Sequence, residues 1–228
     1  MSTKTFEKAA FYDVDGTLVK TNIVHTFGYY CMNQGNLLGS AMKTAGLLAS
    51  TPLFWATDKV NRKVFNELFY RLYAGQTEDR LVVLAEHMLE DLLKDAIYPA
   101  AYDLIEEARK ANCKIVLVSG ALDFTIAPLA KWLGADDVIA NKMQFVNGVA
   151  TGRVIPPIIE GANKAQAIRN YCVEHKLALD KSYAYSDSAS DYTMLAIVGR
   201  PTAVNPDWRL RQLARAYEWP ILDLTKLR

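Results

Sequence analysis

Phe11-Tyr12-Asp13-Val14-Asp15-Gly16-Thr17-Leu18 decides the fold of this 228-residue chain. The residues from Ala9 to Tyr12 form a short apolar run that ends on Asp13, as a buried strand does when it hands the chain to a turn. Asp13 and Asp15 lie two apart, and along an extended segment that spacing points both side chains the same way. Gly16 then lets the chain turn sharply. Further along, three more segments end on chemically matching residues. They are Val116-Leu117-Val118-Ser119-Gly120, then Lys164 just after Gly161, and Tyr185-Ser186-Asp187-Ser188-Ala189-Ser190-Asp191.

The pattern around these segments alternates. Residues 114–118 are near-continuously aliphatic, which marks a strand buried on both faces. Helices are expected at 100–111, with Pro99 suited to the first turn, and at 123–133, closed by Gly134. A short strand is expected at 138–140. Asn147-Gly148 is a hairpin turn between two β segments in 143–154. Helix 163–175, strand 182–185, helix 190–198, strand 202–204 and helix 206–217 follow. This order predicts an α/β fold with a doubly wound parallel sheet covered by helices on both faces. Ligands bind such sheets beyond the carboxyl ends of the strands, where Asp13, Ser119 and Asp187 all fall.

Between these strand-bearing parts the period changes. Val60, Val64, Phe65, Leu68, Phe69 and Leu72 recur at helical spacing, as do Leu81, Leu84, Ala85, Met88 and Leu92. We expect residues 1–20 and 98–228 to form the α/β core. Residues 21–97 are then an inserted helical cap able to roof the crevice.

Composition sets limits on partners. The chain is 51% hydrophobic and 22% charged, as ordinary globular proteins are. Its 26 Lys and Arg nearly balance 25 Asp and Glu, so no field of one sign invites nucleic acid. Cys31, Cys113 and Cys172 are scattered, which suits reduced thiols in a cytoplasmic protein. The first ten residues carry Lys4, Glu7 and Lys8 and lack an apolar segment, so no secretory signal is expected there. Residues 37–56 hold one charge, Lys43, and are long enough to span a bilayer. Ser40, Thr44, Ser50, Thr51, Pro52 and two glycines dilute the stretch. It reads as a helical part packed inside the protein, with a peripheral membrane contact through the cap or a true span as alternatives.

The site residues suit phosphoryl transfer. Asp13 is the candidate nucleophile, since a carboxylate that attacks phosphorus splits hydrolysis into two easier steps. Asp15 is the candidate acid/base, protonating the leaving oxygen and then activating water; alone, it also fits a turn Asp bonded to its own backbone. Ser119 and Gly120 suit a phosphate cradle at a helix start. Lys164 sits in the first turn of its helix, where the dipole disfavours a cation, which points to another duty: neutralising charge at Asp13. Asp13 and Asp187, with phosphate and water oxygens, make a hard oxygen-only site that suits Mg²⁺. Asp191 can be a metal ligand, a partner to a ligand, or a helix cap.

At these residues the chain resembles the haloacid dehalogenase superfamily. The resemblance implies a three-layer Rossmann-like core with Asp13 as nucleophile, Asp15 as acid/base, and Ser119 and Lys164 on the phosphate. It further implies Mg²⁺ held by Asp13, Asp187 and the backbone carbonyl of Asp15, with Asp191 in the acidic motif. An Asp at position 15 is typical of the superfamily's phosphatases and absent from its dehalogenases. The insertion resembles the small cap of the phosphoserine phosphatase-like subfamily IB. A bacterial group within it shares Tyr185-Ser186-Asp187-Ser188, Val198-Gly199-Arg200-Pro201, Ala203-Val204-Asn205-Pro206-Asp207 and Trp219-Pro220. Some of that group's members act on lipid phosphates.

The expected activity is therefore Mg²⁺-dependent hydrolysis of a phosphomonoester, on a small phosphorylated metabolite or a lipid phosphate. The alternatives are a phosphoserine phosphatase and a non-catalytic phosphate-ligand-binding protein on the same fold. Asn22 argues against phosphoserine: it stands where phosphoserine phosphatases carry a Glu for the substrate ammonium. An ammonium there would lose a charge-assisted bond, on the order of 1.5–3 kcal/mol. His25 and Arg62 are weaker substrate candidates; a surface or cap-packing role suits His25 better, and a solvated helix charge suits Arg62 better. Phe54 and Trp55 fit core packing or an apolar cap wall. His87 and His175 read as structural, and Arg209, Arg211 and Arg215 as a solvated helix face.

Overall fold

The computed structural model describes residues 5–21, 23–33 and 70–226. Residues 37–56, Asn22, Arg62 and most of the periodic run from Val60 to Leu72 lie outside the described residues. The described chain is built on one mostly parallel sheet of seven strands. These are β1 (Lys8–Tyr12), β2 (Cys113–Leu122), β3 (Asp137–Val146), β4 (Val149–Ile155), β5 (Tyr183–Ser186), β6 (Arg200–Val204) and β7 (Ile221–Leu222). Their spatial order is β4-β3-β2-β1-β5-β6-β7, and β4 alone runs antiparallel to its neighbour. After β1 the chain builds outward through β2 and β3, then crosses to the other side at β5. The strand order therefore reverses between β1 and β5, which is where open α/β sheets form their ligand crevice.

The apolar strands divide their side chains between the two faces. Ala10 and Tyr12 of β1, with Ile115 and Leu117 of β2, join one buried cluster. Ala9 and Phe11, with Val116 and Val118, join the other. Helices cover both clusters, which is why these strands read as continuous apolar runs rather than alternating ones. On the first face lie α3 (Pro99–Lys110) and α4 (Asp123–Leu133). On the second lie α5 (Ala162–Glu174), α6 (Tyr192–Ala196) and α7 (Trp208–Ala216). In α3, Ala101, Leu104, Ile105 and Ala108 are buried on one stripe, and Pro99 occupies the first turn as expected. Each fully buried Leu or Ile of this kind contributes roughly 1.5–3 kcal/mol.

Several elements differ from the sequence expectation. β2 and β3 are each ten residues long, and β3 runs on past its pairing with β2 to pair with β4 as a hairpin. Asn147 and Gly148 turn that hairpin, both at positive φ. The helix expected over 190–198 is a 3₁₀ turn, Ala189–Asp191, followed by the five residues of α6. β7 is too short for a periodicity argument to find.

Described residues from the 21–97 block are largely helical. They include α1 (Ile23–Met32) and α2 (Glu78–Met88), which runs on through a π turn at Leu89–Leu93. At its base, Lys20 N–H donates to the Ala96 carbonyl at 2.8 Å and Tyr98 N–H to that of Leu18 at 3.0 Å. Both ends of the block thus leave the core side by side. Gly75 N–H also donates to the Ala150 carbonyl, and Ala150 N–H to that of Gln76. Edge-to-face contacts among Tyr30, Tyr73 and Phe124 pack the block on α4. Among the described residues no helix is long and apolar enough to cross a membrane.

Candidate active site

Parallel register brings the motif residues together. Tyr12 pairs with Leu117 on one side and with Tyr185 on the other, so Asp13 leaves β1 between the ends of both neighbours. Asp13 N–H donates to the Tyr185 carbonyl at 2.9 Å. Asp187 follows the last residue of β5 on the far side of the switch point.

Lys164 arrives from the second face. It belongs to the buried stripe of α5 with Ala165, Ile168 and Cys172, so its stem runs along the core. Only 3% of the residue is exposed. Its Nζ lies 2.6 Å from Asp13 Oδ1 and 2.9 Å from Asp191 Oδ2. Burial opposes the ammonium charge, but the Asp13 and Asp191 carboxylates outweigh it and hold Lys164 protonated. Thr17 Oγ1 is 3.3 Å from both Asp13 Oδ2 and Asp187 Oδ1 and donates to one at a time. Ser186 Oγ donates to Asp191 Oδ2 at 2.8 Å. Asp191 is not a working helix cap: as the residue before α6 it accepts no capping hydrogen bond.

Three carboxylates thus crowd one lysine. Burial pushes Asp13 well above the ordinary carboxylate range, Lys164 pulls it back, and Asp191 and Asp187 raise it further. Burial and the Asp191 charge push Asp187 up to about 6. Asp191 Oδ1 is buried without a hydrogen-bond partner. Excess negative charge at Asp13 and Asp187 is what a hard dication would relieve, so the residues present fit Mg²⁺, with Asp191 Oδ1 left open to a water beside it. Among the described residues no cluster of three Asp, Glu, His or Cys side chains stands ready as a cage. A ligand set completed by a backbone carbonyl, phosphate and water meets that condition.

Ser119 departs from its expected place. It lies within the span of β2, where pairing with β3 breaks between Val118 and Leu122, four residues before α4 begins. Ser119 therefore does not stand at the helix start but in an irregular stretch of β2 before it. Ser119 Oγ accepts from Ala121 N–H at 3.0 Å. Asp15 is half-buried and accepts from Thr21 Oγ1 at 3.1 Å. His25 is exposed on α1, and His87 and His175 are exposed as well.

Sequence reasoning missed several participants. Thr17 and Ser186 lie inside the quoted motifs and were open to notice as buried hydroxyls beside carboxylates. Asn141 was detectable only as an Asn inside a strand, where that residue is depleted. It donates to the Gly120 carbonyl at 2.7 Å and accepts from Ile159 N–H at 2.8 Å. Tyr70, which also donates to the Gly120 carbonyl, and Glu160, whose carboxylate lies over Gly120, had no local signature.

The tail segments prove to be supports. Asn205 Nδ2 donates to the Gly16 carbonyl at 3.1 Å, and Asp207 N–H donates to that of Asp187 at 2.7 Å. The Asp207 carboxylate accepts from Ala189 N–H and caps α7 through Leu210 N–H. Trp219 stacks on Tyr217 and Tyr192.

The model of the haloacid dehalogenase-like hydrolases matches residues 10–196. The chain is 35% identical over 216 residues to the inhibition of morphological differentiation protein of Streptomyces azureus, covering 94% of this chain and 78% of that one. It is 30% identical over 218 residues to phosphoserine phosphatase SerB1 of Mycobacterium tuberculosis H37Rv, covering 94% and 70%. A crystal structure of a Bordetella pertussis Tohama I protein of unknown function superposes with a TM-score of 0.83 at 24% identity, covering 96% and 100%. The chain belongs to the haloacid dehalogenase-like hydrolases. Relatives named as phosphatases put it with the phosphatases of that family.

Proposed function

We propose that this protein is a Mg²⁺-dependent phosphomonoester hydrolase working through an aspartyl-phosphate on Asp13. The observation that carries the proposal is the buried Asp13–Lys164–Asp191 arrangement at the sheet's switch point, with Asp187 bridged to Asp13 through Thr17. Asp13 attacks phosphorus as the ester P–O bond breaks, and the Asp15 carboxyl gives its proton to the departing oxygen. Water then attacks phosphorus, passing a proton to Asp15, and the acyl-phosphate bond breaks to return phosphate and the Asp13 carboxylate. Lys164 and the Ser119–Ala121 loop hold the phosphoryl oxygens throughout. Asp13, Asp187 and the Asp15 carbonyl would hold Mg²⁺, which supplies the positive charge the site lacks. Asp191 holds Lys164 in place.

In this proposal residues 21–97 form the cap and choose the leaving group, a small phosphorylated metabolite or a lipid phosphate. Free Cys113 and Cys172 suit a cytoplasmic setting. SerB1, named a phosphoserine phosphatase, favours phosphoserine as a second reading, and Asn22 opposes it. Quenching the enzyme during turnover of ³²P-labelled substrate tests the mechanism. Label is expected on the peptide bearing Asp13, and Asp13→Asn should lower turnover on the order of 10⁴-fold or more while the protein stays folded. An unlabelled peptide with full turnover would sink the mechanism.

A further inference from the structure

Gly120 joins three separate parts of the chain. Its carbonyl accepts from Tyr70 Oη and from Asn141 Nδ2, the latter at 2.7 Å. Asn141 Nδ2 also lies 3.1 Å from Tyr70 Oη, and Asn141 Oδ1 accepts from Ile159 N–H in the loop leading to Lys164. Tyr70 is 1% exposed and Asn141 is equally buried. Neither is a solvated side chain.

The Gly120 carbonyl and the Ala121 N–H belong to one planar trans peptide and point in opposite directions. Fixing the carbonyl therefore aims the N–H. That N–H donates to Ser119 Oγ at 3.0 Å. An oxygen accepting there must turn its own proton away, so the orientation of the Ser119 hydroxyl follows from what holds the far side of the peptide.

We propose that Tyr70 is a positioning residue through which the cap sets the phosphate loop: with Asn141 it clamps the Gly120–Ala121 peptide and so orients Ser119. This rests on the phosphatase reading, in which Ser119 donates to the phosphoryl group and residues 21–97 are the cap. Burial raises the Tyr70 phenol above its ordinary range, so it remains a donor throughout the working pH. Loss of the Tyr70 hydroxyl then loosens Ser119 through the Gly120–Ala121 peptide.

A double-mutant cycle tests this with two readouts on the full chain. Isothermal titration of inorganic phosphate with Mg²⁺ present compares wild type, Tyr70→Phe, Ser119→Ala and the double variant. Tyr70→Phe should weaken phosphate about fivefold to tenfold, the effect of one hydrogen bond. In the Ser119→Ala background it should weaken phosphate less than about twofold, because both act through one hydroxyl. Equal losses in both backgrounds, or none in either, would overturn the proposal. Amide exchange at Ala121, measured by NMR without metal or phosphate, should quicken by a similar factor in Tyr70→Phe. Unchanged exchange overturns the clamp even if phosphate binds. If wild type binds no phosphate but exchange quickens, the phosphatase reading fails and the clamp stands. Should Tyr70→Phe not fold, Asn141→Ala removes the other donor without adding charge; Ala121 exchange should quicken in it too, and unchanged exchange would overturn the clamp.

Discussion

Gly16 sits at a φ of +81°, and a Cβ built there would lie 2.2 Å from Asp187 Oδ2. Here the turn and the acidic loop touch, so a side chain at 16 must displace the carboxylate proposed to hold the metal. Gly16→Ala should therefore cost about 1 kcal/mol through the backbone and lower turnover on the order of 100-fold through misplacement of Asp187. Steady-state kinetics beside urea unfolding would separate the two effects. Asp187 itself makes the metal-free protein pH-sensitive. Its folded value of about 6 exceeds the ordinary 3.8, so the folded state keeps that proton to higher pH. The associated stability is complete below about pH 4 and is lost as pH rises through about 6. It amounts to at most about 3 kcal/mol. In EDTA, Asp187→Asn should gain on wild type across that window; a constant difference from pH 4 to 7 would contradict the assignment.

At the scale of elements, the chain from β5 to β7 is held by close backbone approach. A Cβ on Gly199 would lie 1.6 Å from the Asp180 carbonyl oxygen, and Gly199 N–H donates to the Leu179 carbonyl at 3.2 Å. Backbone cannot yield as a flexible side-chain tip can. Gly199→Ala should lose at least about 2 kcal/mol of unfolding free energy, the scale of overpacking a filled site. Because β6 carries Asn205 and Asp207 to the Gly16 turn and the Asp187 loop, activity should fall along with stability. A variant as stable as wild type in a denaturant titration would show that the loop moves aside.

For the whole molecule, the excess of carboxylates over lysine at the switch point predicts linkage between Mg²⁺ and folding. Mg²⁺ at 100 times its dissociation constant should stabilise the protein by about 2.7 kcal/mol, raising its melting temperature. Chelation should stop phosphomonoester hydrolysis and Mg²⁺ should restore it. Turnover that persists in EDTA, with no melting shift, would remove the metal from the account. The same measurement on Asp187→Asn should show little or no Mg²⁺-induced shift, because that variant removes the charge which the cation balances.

Much of this was open to reading along the chain. The strands β1, β2 and β5 announce themselves because burial on both faces demands unbroken apolar runs. Asp13, Asp15, Lys164 and Asp187 stood out as candidates because a strand end or helix start there carries a polar residue that the local pattern does not need. What determines β7, the 3₁₀ turn before α6, or the strand character of Ser119 is pairing with distant neighbours, which no window of sequence contains. Tyr70 and Asn141 are of the same kind: a Tyr on a helix and an Asn in a strand become a clamp only where both meet the Gly120 carbonyl. Local composition and period thus determined which segments fold how and which side chains carry charge. The three-dimensional meeting of remote backbone groups alone decided how those charges are aimed, because hydrogen bonds depend on distance and direction and not on order along the chain.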